Sequence, residues 1–250
     1  MVKANLHLIT KLLLIFILLK ETGCSVSSSY IYNKKNLNAE KKESILKHYN
    51  FLADQFIINS KTKKLDPIFR NYLNDLVKIN FENFYVVDDE KSFYFISPDR
   101  RLFFSKKYAQ IHFLNEQVLT SFLMENAIRL EKDYFNRKSF YTNGLISSFD
   151  LVAILNINLE YTDHLNYHSV ERLISLNKNP MYFLNFVQQK NKDKSLLNNL
   201  LNGSVFGLDQ ERHLKTYLLE KHKKFFTQNI GLDISSKMFY KFKKIFNKDY

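Results

Sequence analysis

The spacing of apolar residues along the chain predicts a mostly helical protein. Apolar residues recur every three or four positions in several stretches, which is typical of helices that bury one face. Helices are predicted over residues 41–58, 66–77, 115–133, 161–176, 180–188, 210–224 and 235–246. Residues 145–159 and 196–201 are also apolar, residues 190–194 are predicted to be a polar break, and residues 203–209 a loop. The helix over 115–133 is apolar around most of its circumference, so we expect it to be central and buried.

Three short stretches rich in aromatic and β-branched residues predict strands over residues 84–87, 93–96 and 102–104. Pro98 lies between two of them, where it does not interrupt a strand ladder. Since the stretches follow one another closely, we predict a small antiparallel sheet of about three strands, a meander. The predicted fold class is therefore α+β and mostly helical.

The N-terminal residues 1–23 are predicted to be a secretory signal. They are basic at the start and contain an apolar run at residues 12–19, which is too short for a membrane span of about 20 residues. The step Gly23-Cys24 after this run resembles the lipobox of bacterial lipoproteins, in which the cysteine is acylated. We expect residues 24–40 to be a tether. The alternative is an ordinary cleaved signal peptide with an incidental cysteine.

Composition and charge narrow the function classes. The chain has 250 residues with only 5 glycines and 3 prolines, which argues against a long disordered segment. Its net charge is +12, but its lysines and arginines are scattered and no nucleic-acid-binding motif accompanies them. We therefore expect no nucleic-acid partner. The first interpretation of the positive charge is a solvated basic surface, and the second is binding to an anionic membrane surface. A body over residues 41–224 would precede a basic, aromatic C-terminal helix within residues 225–250.

Several segments match one family in their order. They are residues 65–76 (LDP and a helix), 84–89 (a strand ending in two aspartates), 93–104 (a turn and strand), 124–128 (MENAI on the central helix), 162–166 with 179–180 downstream, and 205–212. This order resembles the HtpX-like and BepA-like gluzincin zinc peptidases, the group that includes the CAAX prenyl endopeptidases. The resemblance covers about residues 65–222 and implies a zincin-like peptidase domain. The glycines that the family carries after its turn are missing here.

The resemblance also implies that the zinc site has been lost. The family's HExxH motif places two imidazoles on one helix face, and a glutamate on a later helix completes the ligands. The corresponding positions here are Met124, Ile128 and Thr162, and the family's loop histidine corresponds to Phe206. We therefore expect no zinc and no other cofactor.

One catalytic residue of the motif survives in the sequence. Glu125 stands where the family has its general base, and Arg212 matches the family's downstream arginine. Without a metal-bound water Glu125 would be vestigial, and we expect it to pair with a cation such as Arg129, Lys132 or Arg212. We expect His112, His213 and His222 to be isolated. His164 and His168, four residues apart, could form half a metal site but are expected to be surface residues, and no Ser/His/Asp triad is expected.

These expectations lead to one main hypothesis and two alternatives. The main hypothesis is a non-catalytic, metallopeptidase-like lipoprotein of the bacterial cell envelope, on the periplasmic or outer surface, held to the membrane through acylated Cys24. Its partner would be a peptide or protein of the envelope, bound as by an adaptor or chaperone along an edge strand at residues 93–96 or 102–104. The alternatives are an active metalloendopeptidase with an atypical metal site, and a basic helical lipoprotein that binds the membrane surface.

Overall fold

The computed structural model describes residues 39–135, 161–193, 204–226 and 235–246; the side chains of residues 41 and 204–207 are outside that description. The elements are, in chain order, α1 (Ala39–Asn59), β1 (Thr62–Lys64), α2 (Pro67–Val77), β2 (Asn83–Val87), β3 (Tyr94–Ile96), β4 (Arg101–Ser105), α3 (Lys106–His112), α4 (Glu116–Glu131), α5 (Thr162–Ser175), α6 (Met181–Lys192), α7 (Ser204–Lys221) and α8 (Lys237–Lys243). The predicted mostly helical α+β fold is confirmed at this level.

Some predicted features lie outside the described residues. These are the signal and tether before residue 39, with Cys24, and the apolar segments 145–159 and 196–201. Among the helices that are described, none combines the length and apolarity that a bilayer crossing requires.

Helices α2 and α4 begin at side chains that cap their free N–H groups. The Asp66 carboxylate accepts from the Ile68 N–H at 3.1 Å, and Pro67 follows at the first helical position of α2. The Asn115 side chain caps α4 by accepting from the Val118 N–H at 2.8 Å. These local signals explain why α2 and α4 begin where the sequence predicts.

The four strands form one mixed sheet in the order β1-β2-β4-β3. β2 and β4 run parallel, whereas β1 is antiparallel to β2 and β3 is antiparallel to β4. The predicted antiparallel meander is therefore wrong. Residues 88–93 carry the chain from β2 to the far edge, so β4 returns between β3 and β2 and runs parallel to β2. Residues 102–104 thus lie in a central strand and cannot serve as an edge.

Three element boundaries also differ from the prediction. The lysine-rich residues 62–64, predicted to be a helix break, form β1, because the Asp88 N–H donates to the Lys61 carbonyl at 2.9 Å and the Leu65 N–H donates to the Phe84 carbonyl at 2.9 Å. Helix α6 continues to Lys192 through the predicted polar break. Helix α7 begins at Ser204, where a loop was predicted.

The sheet lies between α1 and the other helices. Side chains of β4 alternate between its faces, so Leu102 and Phe104 join the main core while Phe103 joins a second cluster under α1. Phe56 of α1 meets Phe103 edge to face, with ring centroids 6.1 Å apart. The C-terminal helix α8 packs into the main core through Phe242 and its neighbours. The predicted basic, aromatic terminal helix is therefore part of the folded body.

Glu116, the first residue of α4, ties α8 to the body. Its carboxylate accepts hydrogen bonds from the Tyr72 hydroxyl at 2.6 Å and from the N–H and hydroxyl of Ser236 at 2.9 and 2.7 Å. Burial raises the pKa of Glu116, but these hydrogen bonds outweigh burial and hold the pKa below its ordinary value of 4.5. A carboxylate of this kind stabilises the fold above its ordinary pKa, and the stabilisation is lost as pH falls through the lowered pKa.

We expect Glu116→Gln to lower the free energy of unfolding by about 1 kcal/mol at neutral pH, since this half-exposed site is screened by solvent. The difference from the unmodified chain should shrink as pH falls below the ordinary pKa of Glu116 and through its lowered pKa in the folded state. Urea unfolding across this pH range measures it. Glu131→Gln, at the exposed end of the same helix, is the control. A loss that persists unchanged in acid would contradict this role of the charge.

Candidate functional site

Helix α4, which carries the MENAI segment, is buried from Val118 to Arg129. This confirms the prediction of a central helix. Its polar side chains are partly satisfied within the helix. The hydroxyls of Thr120 and Ser121 donate to carbonyl groups four residues earlier at 2.7 and 2.9 Å, and the Asn126 amide does the same at 2.9 Å. The helix can therefore be surrounded by protein on all sides.

Two of the positions that correspond to zinc ligands lie in the main core. Met124 is fully buried and Ile128 is 3% exposed, and both pack among apolar side chains. They are four residues apart, so they occupy one face of α4. A thioether is a weak, soft ligand and an aliphatic side chain offers no lone pair. On this face the structure has apolar packing where the family has imidazoles.

Glu125 is buried and paired with a lysine. Its carboxylate is 3% exposed, and the Lys190 ammonium group lies 3.1 Å from Oε1 and 3.2 Å from Oε2. The Tyr94 hydroxyl, from the edge strand β3, donates to Oε1 at 3.1 Å. Both carboxylate oxygens are thus engaged by donors from two other elements. A base held in this way is neutralised by a fixed cation.

Lys190 is the residue that the sequence prediction missed. It lies in the last turns of α6 and is only 6% exposed, although its neighbours in sequence are polar. Its ammonium group also lies 5.4 Å from the centroid of the Phe186 ring. Lysine is almost never buried unless it is paired. A short run of polar and basic residues predicted a solvated break, and no local signal in that run indicates a buried partner on α4.

A second buried cation accompanies this pair. Arg129, one turn after Glu125 on α4, is 2% exposed, and burial lowers its pKa while the charge of Glu125 favours its ionised form. Burial raises the pKa of Tyr94 well above its ordinary value, and the Glu125 charge adds to the effect. We call Tyr94, Glu125, Arg129 and Lys190 the Glu125 cluster. It brings two cationic side chains to one carboxylate.

The other predicted site positions do not join this cluster as partners of Glu125. Thr162, the first residue of α5, is 5% exposed, and its hydroxyl has no hydrogen-bond partner in the part of the chain that the structure describes. Phe206 lies in α7, and its side chain is outside the described residues. Arg212 is exposed and pairs with Asp209 at 3.0 Å.

The expected cation for Glu125 must accordingly be revised. Arg212 was a wrong candidate, because its partner is Asp209, and Lys132 is exposed beyond the end of α4. Arg129 is buried in the cluster as expected. The direct partner is Lys190, which was not considered.

A second polar cluster lies near the C-terminal end of α6. Asp193 Oδ2 accepts from the Ser92 hydroxyl at 2.6 Å and lies 2.7 Å from His112 Nε2. His112, predicted to be isolated, is therefore paired and buried. A hydrolytic triad requires the histidine to contact the serine. Here both residues contact the aspartate, so the arrangement does not activate Ser92 as a nucleophile.

The residues of the degenerate motif do not fit a zinc ion. Two ligand positions, Met124 and Ile128, are apolar core, and the Lys190 ammonium contacts both oxygens of Glu125. A divalent cation beside Glu125 would have to displace this ammonium group and would meet the charge of Arg129 as well. In the described ranges, no three histidine, cysteine, aspartate or glutamate side chains are placed to share a metal. We therefore derive no catalytic step through a metal.

The charge balance of the Glu125 cluster makes a stability prediction. Glu125→Gln leaves the buried Lys190 ammonium group without its carboxylate, and breaking a buried pair in this way costs about 3–5 kcal/mol. Lys190→Met leaves Glu125 beside Arg129, so we expect a smaller loss. The double variant should lose less than the sum of the two, as coupled residues do. Denaturant unfolding of the unmodified protein, the two single variants and the double variant measures the free energies of unfolding and hence the coupling between the two residues.

Two results would contradict the interpretation of the cluster. One is additivity of Glu125→Gln and Lys190→Met within about 0.5 kcal/mol. The other is a larger loss for the lysine variant than for the glutamate variant. Lys192→Met, an exposed neighbour on the same helix, is the matched control and should change stability little.

Comparisons with known proteins add no assignment. No protein-family model and no curated protein matches the chain. The resemblance to HtpX-like peptidases is an expectation from the order of segments and from the MENAI sequence.

Proposed function

We propose that this protein is a non-catalytic, metallopeptidase-like lipoprotein of the bacterial cell envelope that binds an extended peptide at the free edge of β1. The observation that carries the proposal is the exposed, basic edge strand Thr62–Lys64 beside an open cleft. Export and the acyl anchor at Cys24 belong to the proposal and rest on the sequence alone.

The Glu125 cluster supports the non-catalytic part. A general base in a zinc peptidase deprotonates a metal-bound water. Here the carboxylate of Glu125 is held by the Lys190 ammonium at 3.1 and 3.2 Å, and the neighbouring Met124 and Ile128 are core residues. Binding without cleavage is the use of the scaffold that this arrangement favours.

The two edges of the sheet differ in accessibility. The residues of β3, one of the two edge segments expected from the sequence, are largely buried, and Phe95 and Ile96 are at most 1% exposed. In β1, by contrast, Lys63 and Lys64 are exposed and Thr62 is half-buried. We therefore place peptide addition at β1, a strand that the sequence did not predict.

The hydrogen-bond register shows which backbone groups of β1 face outward. The Asp88 N–H donates to the Lys61 carbonyl, and the Leu65 N–H donates to the Phe84 carbonyl, both at 2.9 Å. Bonded pairs alternate along an antiparallel ladder, so residues 61, 63 and 65 face β2. The N–H and carbonyl of Lys64 consequently point away from β2, toward an added strand.

A cleft next to this edge indicates the chemistry of the peptide. It has a volume of about 360 Å³, and its lining includes Lys61, Lys63, Val86, Asp88 and Lys106. Three lysines against one aspartate make its wall positive, while Val86 supplies apolar surface. An extended peptide that alternates acidic and apolar side chains fits both properties. The proposed ligand is therefore an extended peptide in which acidic and apolar side chains alternate.

The experiment is a peptide array of random sequences, probed with the mature chain over residues 24–250. We expect the bound peptides to be enriched in aspartate and glutamate and poor in proline. Lys64→Pro removes the outward N–H without removing a bond to β2, and a proline is tolerated on the solvent side of an edge strand. We expect at least tenfold weaker binding than for Lys64→Ala, which loses the charge but retains the N–H.

Charge is tested separately, so that a folding defect of the proline variant cannot decide the outcome. Lys61→Glu should weaken the binding of acidic peptides. Lys47→Glu, on the outer surface of α1, should leave that binding unchanged. An array without enriched sequences, or equal binding by the proline and alanine variants while both are folded, would overturn the proposal.

A further inference from the structure

We propose that the protein rests on anionic membrane lipid through one face built by α3 and α8. This face, which we call the α3–α8 face, consists of Lys107, Ile111, Leu114, Tyr240, Lys241 and Lys244. None of these residues lines the cleft beside β1, although Lys106 and Ile245 of that cleft are their neighbours in sequence. The two proposals are therefore tested with different variants.

Helix α8 is amphipathic and firmly docked. Phe239 and Phe242 are at most 1% exposed in the main core, and their rings fix one side of the helix to the body. The opposite side presents Tyr240, which is 54% exposed, together with the exposed Lys241 and Lys244. This outer side offers lysines and one aromatic ring to an anionic membrane surface.

Helix α3 continues the same surface. The Lys243 ammonium lies 3.4 Å from the Leu114 carbonyl, and the Gln110 amide donates to the Phe246 carbonyl at 2.7 Å. Leu114 is 50% exposed, and Ile111, three residues earlier, is 40% exposed. Large apolar side chains are therefore accessible on both sides of the contact between the two elements.

Lysines dominate the charge around these apolar residues, and the nearby carboxylate of Glu116 is held by Tyr72 and Ser236. Residues 105–114 and 235–246 together contain six lysines and no aspartate or glutamate. Basic residues near a membrane surface are attracted to its anionic head groups. The partner of this basic face should therefore be negatively charged.

The exposed apolar side chains favour lipid over nucleic acid or an acidic protein. Tyrosine is enriched at membrane interfaces, where its ring is apolar and its hydroxyl meets water. Aliphatic residues such as Ile111 and Leu114 can enter the boundary between head groups and acyl chains. A phosphate backbone offers aliphatic side chains no comparable environment. Lysines beside the exposed Tyr240 are therefore suited to binding an anionic lipid surface.

An acyl group at Cys24, as expected from the sequence, would hold the α3–α8 face close to a membrane. From Cys24 to Ala39 the chain can extend at most about 50 Å, so an acylated chain would keep the body close to the lipid. The α3–α8 face would then orient the anchored body against the anionic lipid surface.

The test is co-sedimentation of the mature chain over residues 24–250, carrying Cys24→Ser so that no acyl group contributes. The vesicles are rich in phosphatidylglycerol in one arm and pure phosphatidylcholine in the other. We expect binding only to the anionic vesicles, weakened by salt. Lys241→Glu with Lys244→Glu should lower the partition coefficient at least tenfold.

Two further variants separate lipid binding from general charge. Lys215→Glu with Lys221→Glu, two exposed lysines of α7, makes the same change in net charge and should alter binding by less than twofold. Leu114→Ser with Tyr240→Ser should remove the binding that remains at high salt. Circular dichroism confirms that each variant is folded.

Several results would overturn the proposal. They are equal binding to both kinds of vesicle, equal losses for the α7 control pair and the α8 pair, and binding that is unaffected by Leu114→Ser with Tyr240→Ser. Binding to heparin as tight as to anionic vesicles would assign the face to polyanions in general instead.

Discussion

The ion pair between Lys190 and Glu125 is the constraint on which the interior of this protein depends. A carboxylate and an ammonium group out of water are costly unless each satisfies the other. Lys190 meets both oxygens of Glu125, Tyr94 donates a third hydrogen bond, and Arg129 lies in the same buried cluster. Because these residues come from α4, α6 and β3, the cluster fixes the relative positions of three elements. Glu125, which the resemblance aligns with a catalytic base, is thus held by a fixed cation.

This internal arrangement leaves the outer surfaces to carry function. The sheet is covered by α1 on one face and by the main core on the other, so its accessible part is the edge strand β1. The C-terminal helix α8 is fixed by its phenylalanines and by Glu116, and it presents lysines and Tyr240 outward. The molecule thus combines a closed, buried ion-pair cluster with the proposed peptide edge and the proposed membrane face.

Much of the helical framework could be predicted from the sequence, because its signals are local. Asp66 and Asn115 cap helices at the predicted places, and the apolar pattern of residues 115–133 correctly indicates a central helix. The sheet order could not be predicted, since whether β4 pairs with β2 depends on the path of residues 88–93 across the sheet. Lys190 was missed for a related reason: its buried partner Glu125 is 65 residues away, and its local sequence is polar. Non-local pairing decided both cases.

The central claim is that the carboxylate of Glu125 serves Lys190 and not a metal. The most direct measurement is the zinc content of the purified protein by mass spectrometry, after incubation with zinc and removal of loosely bound ions. We expect far less than one zinc per chain, and the same residual amount in Glu125→Gln. About one zinc per chain, retained by the unmodified protein and lost in Glu125→Gln, would contradict the account.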